Sequence, residues 1–182
     1  MRSLLAILLC MISQSTESYT HQLDLQAMMR DNQGLQKLRI AYYSPTEHGF
    51  HLLFVRGDGT LVLQTYPRRP MAANEVPTCK ERISPDKVKE ILRLMIDRRF
   101  WELPEKQFIF IGDLPSYSEV ELHRIFVSDG AEKAGRIFGI GTYAGKSESI
   151  PADFAIIERQ FKNIEQAAFS DKPCHLAPAI KF

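Results

Sequence analysis

The sequence lacks an excess of charge of either sign. Its 182 residues include 23 Lys and Arg and 22 Asp and Glu, for a formal net charge of +1. A protein that neutralises many phosphates needs a clustered surplus of Lys and Arg, whereas here the two signs are interspersed. We therefore expect no nucleic-acid partner. Internal repeats are also lacking, and the length predicts one packed domain.

The sequence also lacks an apolar run of the ~20 residues that a permanent membrane helix needs. The N-terminal run from Leu4 to Ile12 is far shorter, and it follows Arg2 and precedes the small polar residues SQSTES. This layout is typical of a secretory signal peptide. We predict a signal peptide at residues 1–18, no stable transmembrane anchor, and a secreted or periplasmic mature protein. Lipid attachment at Cys10 is disfavoured, because Leu9 occupies a position that normally holds a small residue.

Cysteine is scarce, and two of the three cysteines lie outside the predicted signal peptide. They are Cys79 and Cys174. An even cysteine count in an exported protein suggests a disulfide, and neither residue has the spacing of a metal site. The sequence favours a bond between Cys79 and Cys174, with two free thiols as the alternative.

A phosphate-binding loop is lacking too, although the stretch GIGTYAGKS resembles one. A P-loop needs glycine five residues before its Gly-Lys-Ser, and that position holds Ile140. The following helix is predicted to begin near Pro151 instead of at the lysine. We therefore expect no nucleotide and no other cofactor. The stretch is predicted to be an exposed loop, with Tyr143 and Lys146 available to contact a partner.

No catalytic motif stands out. The sequence has no Gly-x-Ser-x-Gly nucleophile turn. His48 and His51 are three apart, which on a strand places them on opposite faces and prevents them from sharing a metal ion, unless the strand begins after His48. His123 alternates with Glu119 and Glu121 on a strand face predicted to be wet, where it would be available as a general base. We therefore assign no catalytic residue and no metal-binding residue. The alternative is that the protein is a hydrolase whose site lies around His123, Glu119 and Glu121.

Local patterns predict strands in hairpins and two main helices. Asp58-Gly59 joins two β-rich runs as a tight turn, in a register that places Phe54 opposite Leu63. A long alternating run from Val120 and the stretch RIFGI form a second hairpin. One helix has Ser84 as its N-cap, followed by Pro85 and an apolar stripe, and another begins at Pro151.

The predicted fold class is α+β, with an antiparallel sheet of about five strands and the two helices packed on one face. We predict four segments. They are the signal peptide, an N-terminal extension at residues 19–36 whose pattern allows a short helix, a single domain at residues 37–170, and a tail at residues 171–182.

Several segments together resemble a known group of domains. They are LRIAYYS, the hairpin VRGDGTLVL, the helix SPDKVKEILRLM ending in FWELP, the strands SYSEVELHRIFV and RIFGIG, and the helix PADFAIIERQFKNIEQ. From Leu38 to Phe169 the chain resembles small exported bacterial domains, mostly of unknown function, that share the fold of the protealysin inhibitor emfourin. The resemblance implies a non-catalytic binding module that blocks a secreted protease. It carries over no functional residue, and the segments around Cys79 and Cys174 depart from it.

Overall fold

The computed structural model describes residues 25–67, 75–104, 106–109, 120–129, 133–141 and 150–180. The predicted signal peptide, Glu119, and the predicted contact residues Tyr143 and Lys146 lie outside the described residues. Predictions about them therefore stay predictions.

The described residues form four helices and eight strands. The helices are α1 (residues 25–30), α2 (Asn32–Lys37), α3 (Pro85–Asp97) and α4 (Ala152–Phe169), with a short 3-10 turn at Phe100–Glu102. The strands are β1 (Arg39–Thr46), β2 (Gly49–Arg56), β3 (Thr60–Pro67), β4 (Glu75–Arg82), β5 (Lys106–Ile109), β6 (Val120–Ser128), β7 (Lys133–Gly141) and β8 (His175–Pro178).

All eight strands belong to one open sheet in the order β5-β7-β6-β1-β2-β3-β4-β8. Seven strands pair antiparallel, and β5 joins the edge parallel to β7. The predicted α+β class is confirmed, but the predicted count of about five strands is wrong. Three strands were missed. The strand β4 was missed because Pro77 and several charged residues give it a loop-like composition, and β5 and β8 because each has only four residues.

The turn between β2 and β3 is one residue longer than predicted. Val62 instead of Leu63 lies opposite Phe54, so the predicted register is wrong by one residue. Gly59 has a positive φ of 85°, as expected for the left-handed position of a three-residue hairpin loop. A Cβ atom there would lie only 2.1 Å from the Ile83 carbonyl oxygen. Glycine therefore allows the turn to approach the segment that leads into α3.

Both predicted helices form, with the predicted buried faces. In α3, the Ser84 hydroxyl accepts a hydrogen bond from the Lys87 backbone N–H at 3.2 Å, so the N-cap is confirmed. The buried residues of α3 are Val88, Ile91, Leu92, Met95 and Ile96, and those of α4 include Phe154, Ile157, Phe161 and Ile164.

The core lies between these helices and one face of the sheet, here called the helix face. Ile40 and Tyr42 of β1, Leu53 and Val55 of β2, and Ile125 and Val127 of β6 point to it and join one apolar cluster with residues of α3 and α4. The helices α1 and α2 add Leu25 and Leu35 to the same cluster. The helix face also carries the polar side chains described next.

Candidate functional site

The predicted wet face of β6 is in fact the helix face. His123 is 7% exposed and points the same way as the buried Ile125 and Val127. The sequence pattern separated the two faces of β6 correctly but did not show which one a helix covers. Glu121 lies in β6, where its backbone pairs with Ile140. The carboxylate that contacts His123 belongs instead to Glu158 of α4.

Glu158 is the centre of a buried polar cluster. Its Oε1 atom lies 2.5 Å from His123 Nδ1 and accepts a hydrogen bond from the Tyr42 hydroxyl at 2.9 Å. The Lys162 ammonium, one turn further along α4, approaches the same oxygen at 3.4 Å. Phe161 stacks on the Tyr42 ring with the centroids 5.2 Å apart. The sheet and the helix thus place three polar groups around one carboxylate oxygen.

The cluster keeps Glu158 ionised and Tyr42 neutral at neutral pH. Burial by itself raises the pKa of Glu158. The hydrogen bond and charge of His123, with smaller effects of Lys162 and Tyr42, outweigh burial and hold that pKa below its ordinary value. Burial, and then the negative charge of Glu158, raises the pKa of Tyr42 far above its ordinary value. Glu158 therefore acts as a hydrogen-bond acceptor that ties α4 to β1 and β6.

A second pair of the same kind lies two turns further along α4. Glu165 Oε1 is 2.5 Å from Nδ1 of His51, which extends from the helix face of β2. The side chains of His51 and Glu165 are 30% and 16% exposed, because they border a pocket of about 350 Å³. The pocket also contacts Lys162, Leu63 and Phe169. The sequence drew attention to His51 only as half of a metal pair with His48.

Ser44 lies directly opposite His51 on the neighbouring strand β1 and also borders the pocket. With Glu165 these are the residue types of a serine hydrolase triad. However, Ser44 is 8% exposed in a regular strand. Within the described ranges, no hydrogen bond joins Ser44 to His51. His51 therefore does not activate Ser44 as a nucleophile in this arrangement.

A larger cavity of about 570 Å³ lies between the end of β4 and α4, and both lysines that line it are in ion pairs. Lys172 lies 2.7 Å from Glu81, and Lys87 lies 2.6 Å from Glu90. No group of three or more metal-binding side chains converges within the part of the chain that the structure describes.

The predicted disulfide is present and holds the edge of the sheet. Cys79 of β4 and Cys174, just before β8, are bonded with their Cα atoms 4.5 Å apart. Buried Gln64 adds a second link, since its amide group donates to the Pro178 carbonyl at 2.9 Å and accepts from the Ile180 N–H at 2.8 Å. A segment inside the predicted tail thus becomes the fixed edge strand β8.

The sequence alone missed Tyr42, Glu158, Lys162 and Glu165. The available signal was in α4, where the two glutamates and Lys162 border the apolar stripe with helical spacing. A carboxylate beside buried aromatic positions has to meet a donor from the facing sheet. Which donor it meets depends on strand pairing across more than a hundred residues, which local patterns do not contain.

Comparison with known proteins does not assign the chain to a family. No protein-family model matches the chain, and no curated protein matches it. The resemblance to the emfourin-like domains therefore stays a prediction, as do the signal peptide and export. Among the described residues, no helix is long and apolar enough to cross a membrane.

Proposed function

We propose that the protein is an exported, non-catalytic binding module that contacts a protein partner through the edge strand β8. The observation that carries this proposal is the exposure of β8. It ends the strand order of the sheet, and its Leu176 side chain is 68% exposed. The disulfide supports an oxidising, extracytoplasmic compartment, where such bonds persist.

An edge strand offers backbone N–H and C=O groups along its outer side, and an extended segment of another protein pairs with them as an added strand. Leu176 supplies an apolar anchor for such a segment. The disulfide at Cys174 and the hydrogen bonds of Gln64 already hold β8 in place. Binding therefore costs little additional ordering of this strand.

A secreted protease is the partner class that the resemblance suggests. Proteases bind their substrates as extended segments. The strand β8 is held in an extended conformation, so its shape is compatible with such a partner. The loop with Tyr143 and Lys146 remains a second candidate contact. The alternative of a hydrolase around His123, Glu119 and Glu121 has no observation in its favour, because His123 is buried and its Nδ1 contacts Glu158.

The test is capture of partners from the native extracytoplasmic fraction by the disulfide-bonded protein, followed by affinity measurement with each purified partner. Leu176→Lys places a charge on the edge and is expected to weaken a genuine β8 partner at least about tenfold, as for a central anchor residue. Gln33→Lys makes a matched charge change at an exposed position of α2 and is expected to leave the affinity unchanged.

If the captured partner is a protease, its residual activity on a peptide substrate is measured with both variants. Inhibition that is lost with Leu176→Lys and retained with Gln33→Lys supports the inhibitor proposal. Equal binding by the two variants contradicts the role of β8.

A further inference from the structure

Three arginines lie at one end of the sheet, where β1 begins and β2 and β4 end. Arg39 and Arg56 are direct partners across β1 and β2, and Arg82 is the partner of Thr60 at the start of β3. We call Arg39, Arg56 and Arg82 the arginine cluster. It lies away from the histidine–glutamate pairs and from the cysteines, and none of the features described above explains it.

The cluster places two like charges directly opposite each other. A cross-strand position of this kind normally favours opposite charges, and like charges there destabilise the sheet. Arginine remains protonated in proteins, so this repulsion does not depend on a protonation state. Burial, and then the charge of Arg56, lowers the pKa of Arg39, and the opposing effect of Asp58 is smaller. The fold therefore holds two guanidinium groups together at a cost in free energy.

Hydrogen-bond donors of both groups are unused. The Nε atom of Arg56 is buried and has no hydrogen-bond partner among the described residues. Nη1 of Arg39 donates to the carbonyl oxygens of Gln36 and Leu38, both at 2.7 Å, and these bonds do not use the Nε and Nη2 edge of the same guanidinium. Because the two carbonyls already hold Arg39 in place, an acceptor at that edge requires little further ordering.

Asp58 is the acid of this site. Hydrogen bonds from Thr60, together with the charges of Arg56 and Arg82, hold the pKa of Asp58 below its ordinary value. Its Oδ1 atom accepts from the Thr60 backbone N–H at 2.9 Å. Within the described ranges, no ion pair joins Asp58 to an arginine of the cluster. Asp58 is therefore a partial counter-charge and leaves the guanidinium donors open.

The other nearby acids have interactions of their own. Glu81, next to Arg82 in the chain, lies 2.7 Å from Lys172, and Asp129, just beyond β6, interacts with other residues. Three arginines and one aspartate, Asp58, then leave two positive charges at this end of the sheet.

Two surplus charges and unused guanidinium donors match a doubly charged oxyanion. A phosphomonoester has a charge close to −2 at neutral pH and three terminal oxygens that accept hydrogen bonds. Guanidinium groups bind such oxygens through pairs of N–H donors. A carboxylate or a phosphodiester carries only one negative charge and compensates less of the repulsion between Arg39 and Arg56.

We propose that the arginine cluster binds the phosphate group of a phosphomonoester, between Arg39 and Arg56 and with Arg82 at its rim. A soluble phosphomonoester and the headgroup of phosphatidic acid in a membrane both present this group. Arg82 ends β4, whereas β8 pairs with residues 75–78 near its start. The site is therefore separate from β8, and the proposal does not depend on the proposed partner binding.

The experiment is a titration of the disulfide-bonded protein with inorganic phosphate and with glycerol 3-phosphate, at neutral pH and at an ionic strength fixed with sodium chloride. Backbone amide NMR shifts and calorimetry measure the binding. The expected dissociation constants are about 1–10 mM, as suits ligands of this size. Acetate, with one negative charge, is expected to bind at least about tenfold more weakly.

Three variants test the assignment to the cluster. Arg56→Met keeps the aliphatic stem and is expected to weaken phosphate binding at least about tenfold. Asp58→Asn removes the counter-charge but keeps an oxygen for the Thr60 N–H, and it is expected to strengthen phosphate binding a few-fold. Arg93→Met removes the same charge as Arg56→Met at an exposed position of α3 and is expected to change nothing.

Thermal unfolding separates a binding role of Arg56 from a structural one. In phosphate-free buffer, Arg56→Met is expected to keep or raise the unfolding temperature, because it relieves the repulsion and removes the unpaired Nε. Phosphate is expected to raise the unfolding temperature of the original protein, since it binds the folded state, and to have a much smaller effect on Arg56→Met. The opposite pattern, a loss of stability without phosphate and an equal response to it, overturns the proposal.

Sedimentation with phosphatidylcholine vesicles, with and without phosphatidic acid, distinguishes the two sources of the phosphate. Binding that requires both phosphatidic acid and Arg56 assigns the membrane headgroup, whereas binding of the soluble probes alone assigns a soluble ligand. The proposal is overturned if neither soluble probe shifts residues 56–60 at about 50 mM, several-fold above the expected constants, and phosphatidic acid has no effect. It is equally overturned if acetate binds as tightly as phosphate, if Arg56→Met and Arg93→Met give the same affinity, or if Asp58→Asn weakens binding.

Discussion

Two histidine–glutamate pairs join the sheet to α4 with the same distance and very different surroundings. In both pairs, Nδ1 lies 2.5 Å from a carboxylate oxygen. The side chains of His123 and Glu158 are 8% and 6% exposed, whereas those of His51 and Glu165 are 30% and 16% exposed. The same two side-chain types therefore form a pair that is buried in the core at Glu158 and a pair that borders a pocket two turns further along α4, at Glu165.

Because the contact distance is the same in both pairs, we expect the difference in burial to determine how much each pair contributes to stability. A buried hydrogen-bonded pair has lost its hydration and depends on every remaining partner, so removal of one member leaves the other without its partner in the core. Water screens a partly exposed pair and replaces a missing partner at little cost. We therefore expect the first pair to contribute much more to stability than the second.

The largest predicted effect is on the buried pair. Glu158→Ala is expected to lower the free energy of unfolding by about 3–5 kcal/mol, because His123 and Tyr42 lose their shared acceptor in the core. Urea unfolding followed by circular dichroism measures this loss. A decrease below about 1 kcal/mol, the value for exposed pairs, would mean that the pair is not sealed in solution.

A double variant distinguishes the loss of a polar partner from the loss of side-chain volume at this site. His123→Leu combined with Glu158→Leu fills the site with apolar groups and is expected to recover at least about 1 kcal/mol relative to Glu158→Ala, because the imidazole of His123 is no longer left without its acceptor in the core. A double variant that is less stable than Glu158→Ala would contradict the explanation by a lost hydrogen-bond partner.

Acid is predicted to weaken the same pair to a smaller extent, since a protonated Glu158 still hydrogen-bonds its neighbours. The pKa of Glu158 is lower in the folded protein than the 4.5 of the unfolded chain. Its contribution to stability is therefore complete above pH 4.5 and is lost as the pH falls through the folded value. Urea midpoints between pH 7 and pH 3 measure the slope, which Glu158→Gln is expected to flatten. An equal slope in both proteins would assign the acid sensitivity to other carboxylates.

Removal of one hydroxyl is predicted to have an intermediate effect. Tyr42→Phe deletes the 2.9 Å hydrogen bond to Glu158 but keeps the ring that stacks on Phe161. The expected loss is about 0.5–1.5 kcal/mol, measured by the same urea unfolding. Tyr66→Phe, which removes a hydroxyl bonded to Gln64 in a partly buried site, is the matched control and is expected to lose less.

The smallest predicted effect is on the partly exposed pair. Glu165→Ala is expected to lower the free energy of unfolding by less than about 1 kcal/mol, because water reaches His51 and replaces the carboxylate. A loss as large as that of Glu158→Ala would remove the distinction between the two pairs. Thermal unfolding at low and high salt provides the measurement, since only a screened pair becomes weaker with salt.

Several features of the molecule were predictable from short stretches of sequence. The helix after Ser84 was predicted because its N-cap, its first-turn proline and its apolar stripe lie within one segment. The hairpin at Asp58-Gly59 was predicted from its turn residues, although its register depended on a loop of three residues instead of two. The two cysteines outside the predicted signal peptide pointed to their bond, since an exported protein with two cysteines tends to pair them.

The α+β class, the two main helices and the disulfide partners could be derived from local periodicity or from a count of residues. The buried face of β6, the contacts of Glu158 with His123 and Tyr42, and the four-residue strand at the sheet edge became visible only in the folded protein. These features depend on which strands pair and on which face α4 covers. Alternation along a strand defines two faces but is the same whichever one is covered, so long-range packing makes that choice.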